Sequence, residues 1–166
     1  ALAACAVMPL VISLQPLIFG ISQLVTALQI GVFFAIGLYK VRKPGSLLIM
    51  ALMMGLIQLM MSPPMFLSSV LNGVLIELIV LLLFRGYEKD AAVFCASMLH
   101  TPLSLPFNYL NNRLVKGTDS PLAAVADRAP LAAVGMTLAV VAVSALGALI
   151  GIKIARELKK SGVLKK

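Results

Sequence analysis

Two side chains stand out for the chemistry that their surroundings would force on them. Glu77 lies in the apolar stretch between Met65 and Phe84 and is the only carboxylate inside any of the long apolar runs. A charge near the centre of a bilayer costs at least ~2.5–3.5 kcal/mol on insertion scales, so such a residue faces a bundle interior, a partner or a ligand. Ser69, Gly73 and Glu77 recur at every fourth position and share one helical face, with Asn72 on its edge. That stripe suits a clamp between helices or a contact to a solute. His100 is the single histidine. Counted at 1.5 Å per residue from Arg85 and Asp90, Glu77 and His100 lie ~12 and ~15 Å inward, a match that allows a Glu77–His100 pair at a cavity floor. The competing arrangement is a neutral histidine bonded to the hydroxyl of Ser97, Thr101 or Ser104.

The stretch after His100 is rich in amides and helix breakers. Pro102 and Pro106 are followed by Phe107-Asn108-Tyr109-Leu110-Asn111-Asn112. Each proline removes a backbone donor, and carbonyls freed in lipid must find protein or a lined cavity. Helices interrupted in this way line solute sites in transporters. Gln58, on another apolar run, reaches a comparable depth, and with Asn72, Asn108, Tyr109 and Asn111 it offers hydrogen bonds to a polar organic solute. A proline-kinked packing helix is the alternative. Met60, Met61 and Met65 provide soft sulfur near one turn, but methionine also fills apolar gaps, and their spacing defines no coordination set. Gly147 and Gly151 form a GxxxG step that allows close helix approach.

The elements that must position these residues follow from composition. Hydrophobic residues make up 61% of the 166, charged residues 12%, and mean hydropathy is +1.05. A soluble domain would expose large apolar patches at that composition. The charges fall between apolar runs about as long as the roughly 20 residues that cross a bilayer. The expected fold is an all-α integral membrane protein, a six-transmembrane-helix bundle with both termini cytoplasmic. It forms one membrane domain over 1–166, with helices near 1–14, 19–39, 45–61, 65–84, 90–110 and 130–155 and a basic tail over 156–166. A polar loop, 111–129, is expected to hold a short surface helix at 120–125. This topology puts 11 of the 14 Lys and Arg residues on the cytoplasmic side, as the positive-inside rule demands. The net charge of +8 thus points to anionic lipid headgroups and an acidic protein surface rather than nucleic acid. The chain opens on apolar Ala1 without a charged leader, so further residues are expected before it. Cys5 and Cys95 lie in apolar surroundings, as reduced structural cysteines do.

Absent motifs narrow the function. No G-x-x-x-x-G-K-[ST], H-E-x-x-H or G-x-S-x-G occurs, and the carboxylates do not cluster for a metal. One histidine and one buried acid are poor resources for group transfer, so the chain is not expected to be an enzyme or to carry a cofactor. Without duplicated halves it does not read as a self-sufficient secondary transporter. A solute-binding subunit that borrows its energy from partners fits better.

At this point the chain resembles the substrate-binding S components of energy-coupling factor (ECF) transporters, and within them the thiamine or hydroxymethylpyrimidine branch. The resemblance runs from the second span onward. It rests on Val41-Arg42-Lys43-Pro44-Gly45, on Asn72-Gly73 through Glu77, and on Gly147 to Val163 with its late Ser161-Gly162-Val163. It implies six helices in a bacterial or archaeal cell membrane and capture of a small water-soluble vitamin or precursor from outside. It also implies partners, a transmembrane coupling subunit and two ATPase subunits. The ligand would lie in the outer half, near Gln58, Asn72, Asn108 and Tyr109. Small residues of the first helix would dock the partner; Ala1, Ala3, Ala4 and Ala6 are small but lack the family's Ala-x-x-x-Ala spacing. With no tryptophan, stacking on a heterocycle would fall to Phe107, Tyr109 or Phe19. The rival readings are a non-transporting membrane scaffold and a metal- or haem-handling protein built on His100 and the methionines.

Overall fold

Prolines and left-handed residues set the helix boundaries. The protein is described from a computed structural model over residues 21–60, 63–116 and 130–162. Five helices run in chain order, α1 (Ile21–Val41), α2 (Ser46–Leu59), α3 (Pro63–Phe84), α4 (Asp90–Lys116) and α5 (Pro130–Lys160), with no strand among the described residues. Helices α3 and α5 each start on a proline, whose missing N–H costs nothing in the first turn. Helices α1 and α3 each hand over to an arginine of positive φ, Arg42 (46°) and Arg85 (58°). Gly45 (φ 85°) then turns the chain into α2.

These helices match five of the expected spans with two extensions. Helix α4 passes Leu110 and continues to Lys116, because 111–116 contains no glycine or proline and Arg113 donates back to the Tyr109 hydroxyl at 2.8 Å. It also runs unbroken through Pro102 and Pro106. Helix α5 continues through the basic tail to Lys160, where Lys159 and Lys160 complement the dipole of its last turn. The first expected span, the turn at Gln15-Pro16, the surface helix at 120–125 and Val163 lie outside the described residues, as does Cys5.

Short connections make successive helices antiparallel up to α4, the usual result for neighbours joined by a few residues. Helix α4 touches α1, α3 and α5, and α2 packs mainly on α3. Helices α1 and α5 run parallel, and glycine makes their contact possible. A Cβ on Gly147 would lie 2.6 Å from the Leu28 carbonyl oxygen, and one on Gly151 would lie 2.7 Å from that of Val32. The core between the helices holds Phe34, Leu38, Leu47, Ile76, Val80, Tyr87 and Val93. The outside is as apolar as the inside: Leu82, Leu83 and Leu131 stand largely exposed. Met65–Phe84 and Leu131–Lys160 are long and apolar enough to cross a bilayer; an 18-residue stretch of each has mean hydropathy 2.3, yet only 33% and 22% of those 18 residues are buried. A surface of that kind is solvated by lipid.

Gly147→Val should therefore lower stability in detergent by about 1–3 kcal/mol through overpacking. Gly135→Ala, where a Cβ meets nothing within 4 Å, should leave the thermal midpoint unchanged or raise it. Equal midpoints for the Gly147 variant and the parent would remove the close α1–α5 contact.

Candidate functional site

The polar residues of the bundle form two groups at different depths. The first lies at the basic end, where α1, α3 and α5 finish and α2 and α4 begin. Glu77 accepts hydrogen bonds on both oxygens, from the Gly45 backbone N–H at 2.7 Å and from the Tyr87 hydroxyl at 2.9 Å. It thus ties the α1–α2 turn to the α3–α4 turn. Burial first, and the Glu77 hydrogen bond second, push the Tyr87 phenol above its ordinary pKa, so it stays a proton donor. Around this clamp, Arg42 donates to the Glu88 carbonyl at 2.5 Å and to Asp90 at 2.6 Å, and its guanidinium lies 4.0 Å from the Tyr39 ring centroid. Arg156 of α5 holds the other Asp90 oxygen at 2.7 Å. These contacts hold the Arg42 backbone in its left-handed conformation.

The second group crosses the interior. Ser69 donates to the Gln58 amide oxygen at 2.8 Å, joining α3 to α2. One turn along α3, Asn72 donates to the His100 carbonyl at 2.7 Å, joining α3 to α4. The His100 ring packs on Phe34 of α1, with centroids 4.3 Å apart and planes 38° from parallel. Among the described residues, five buried side-chain atoms find no hydrogen-bond partner: Asn72 Oδ1, His100 Nδ1 and Nε2, Thr101 Oγ1 and Ser144 Oγ. Ser144 lies on α5, where its carbonyl faces Gly31 of α1.

These positions settle the proposed Glu77–His100 pair. His100 lies level with Asn72, which is five residues from Glu77, or ~7.5 Å along α3. Both Glu77 oxygens are engaged toward the basic end, so the two side chains do not meet. The hydroxyl alternative fails as well. Ser97 bonds back to the Val93 carbonyl, Ser104 to that of Thr101 at 2.6 Å, and Thr101 Oγ1 bonds to nothing. The structure brings Gln58, Asn72 and His100 into one polar line. Asn108 and Tyr109 sit half-buried about two turns farther along α4, and the Asn111 side chain lies outside the described residues. Met60 and Met65 are exposed at the α2–α3 turn and Met61 lies outside the described residues, whereas His100 is buried. Among the described residues no group of three or more His, Cys, Asp and Glu could hold a metal ion.

Several contributors escaped the sequence reading. Tyr87, Asp90 and Arg156 carried no motif, and Arg42 entered only as part of the Val41–Gly45 stretch. Their partners lie 10 to 66 positions away in sequence. Ser144 had a signal, a lone hydroxyl in the apolar run from Leu138 to Leu146. The clamp has an energetic signature. Tyr87→Phe should cost about 1.5–3 kcal/mol of stability, the worth of a hydrogen bond to a charged group. In a double-mutant cycle with Glu77→Ala most of that loss should vanish; strictly additive effects in chemical unfolding would dissolve the clamp.

With the geometry in place, comparison with known proteins bears on the chain as a whole. No curated protein and no solved structure matches it. Residues 1–160 match a family described as hypothetical bacterial integral membrane protein (Trep_Strep). That match agrees with an all-helical bundle whose outer face is leucine, valine and isoleucine. The chain belongs to the Trep_Strep family of bacterial integral membrane proteins.

Proposed function

We propose that this protein is a multi-pass, solute-binding subunit of an ECF-type importer. It captures a small water-soluble vitamin or precursor, of the thiamine or hydroxymethylpyrimidine kind, and is not itself an enzyme. Uptake would be powered by a transmembrane coupling subunit and two ATPase subunits. The basic end, with Arg42, Arg85 and Arg156, would face the cytoplasm, as the positive-inside rule favours. The sequence motifs that resemble S components support this reading, and so does membership of a bacterial membrane family.

The observation that carries it is that, among the described residues, five buried atoms from three helices lack partners, two of them the nitrogens of the His100 ring that packs on Phe34. Leaving a buried polar group unsatisfied costs about 1–3 kcal/mol, so a bundle built only for packing gains nothing by keeping them. They comprise an amide oxygen, an imidazole and two hydroxyls, which complement a planar heterocycle with ring nitrogens and an exocyclic amine or hydroxyl. Gln58 and Ser69 extend the polar line toward the opposite end, the side from which an external solute would enter.

Native mass spectrometry of the purified protein, with and without added thiamine or hydroxymethylpyrimidine, tests this directly. A bound organic mass that survives chelators is expected. His100→Phe keeps a ring against Phe34 and removes only the two nitrogens. It should hold or raise the thermal midpoint, since it removes two unsatisfied groups, and weaken solute binding by about tenfold or more. A variant that binds as the parent does would sink the site. A protein that binds no member of a vitamin panel would sink the transport reading.

A further inference from the structure

At the basic end, α4 and α5 enclose a groove of about 630 Å³, separate from the polar line around His100. Its walls change character along their length. Phe94 of α4 and Leu149 and Ile152 of α5 form an apolar floor. Lys153, Arg156 and Lys160 form a cationic rim that begins at the residue after Ile152 and runs about two turns farther along α5. They fall at steps of three, four and seven residues, so they share one helical face.

The acids nearby do not neutralise that rim. Asp90 is held by both Arg42 and Arg156, at 2.6 and 2.7 Å. Glu157 is held by Lys160 at 3.0 Å. Lys153 has no ion-pair partner among the described residues. The lining thus carries three cations, Lys153, Arg156 and Lys160, against two carboxylates, Asp90 and Glu157. Asp90 is shared with Arg42 from outside the groove, so positive charge is in excess beside the apolar floor.

From this geometry we infer that the groove between α4 and α5 is a seat for an anionic phospholipid. An acyl chain lies along Phe94, Leu149 and Ile152, and the headgroup phosphate rests against Lys153 and Arg156. The order of the two surfaces along α5 is that of the lipid itself, hydrocarbon first and phosphate next. Basic pockets between helices at a membrane face bind anionic headgroups in this manner. A free phosphate would use the rim and leave the floor uncovered. An acidic peptide would meet the charge but would not match an apolar floor that continues into the lipid-facing surface of α5, where Leu146 and Ile150 are exposed.

The full chain in lipid nanodiscs, released into a native mass spectrometer, provides the test. With equal phosphatidylglycerol and phosphatidylcholine, the retained lipid should be predominantly phosphatidylglycerol. Lys153→Gln should lower its occupancy about fivefold, the worth of one lysine at an anionic surface. Lys159→Gln removes the same charge from a position that does not line the groove and should change occupancy little. Helix content measured in phosphatidylcholine alone checks that both variants fold. Equal retention of the two lipids overturns the proposal, as does an equal loss from both variants, which marks diffuse attraction. Displacement by inorganic phosphate alone, or saturation by a polyglutamate peptide without lipid preference, would also overturn it.

Discussion

Glu77 places a nearly buried carboxylate in a helix of isoleucine, leucine and valine. Both of its oxygens are satisfied by protein, and the donors come from elsewhere in the chain. The Gly45 N–H and the Tyr87 hydroxyl belong to two different turns, and holding both on one carboxylate fixes the ends of α1, α2, α3 and α4 relative to one another. Arg42 and Arg156 then meet on Asp90, which adds α5 to the same cluster. In lipid, apolar side chains gain little by leaving one apolar solvent for another, so polar contacts and close packing have to specify the arrangement.

Close packing does its share on the opposite side of α1. Gly147 and Gly151 let α5 approach until only backbone separates it from Leu28 and Val32. Gly73 plays the same part between α3 and α2, where a Cβ would overlap that of Ala51. With α1 held to α5 and α3 held to α2, helix α4 lies between the two pairs. It runs unbroken through half-buried Pro102 and exposed Pro106, each of which removes one backbone donor from the helix.

The two polar groups are unlike in a way that bears on function. At the basic end, donors and acceptors are matched and bind turn to turn. In the interior, Asn72 is half-matched and the His100 ring is unmatched, although both are nearly inaccessible. A matched buried network rigidifies a fold, whereas unmatched buried groups cost stability and call for another purpose. Glu77 is thus assigned to architecture, and the solute site proposed above rests on the Asn72–His100 depth.

Much of this protein was legible without its structure. Apolar run length marked the helices, proline and glycine marked their ends, and the placement of lysine and arginine marked one end of the bundle as basic, because each of these depends on neighbours in sequence. The buried polar face of α3 was legible for the same reason: Ser69, Gly73 and Glu77 repeat with the period of a helix. The partners on that face were not legible. Val41 to Gly45 and Asn72 to Glu77 each stood out as motifs, but only the fold brings Gly45 onto Glu77, 32 positions away. Counting residues from the charged ends placed Glu77 and His100 at one depth. The count ignored the registry of α3 against α4, which the Asn72–His100 hydrogen bond sets about five residues away from that estimate. Periodicity along a helix is a local property. The pairing of faces, the depth of one helix against another and the matching of each buried polar atom depend on packing, and the tertiary structure alone decided them.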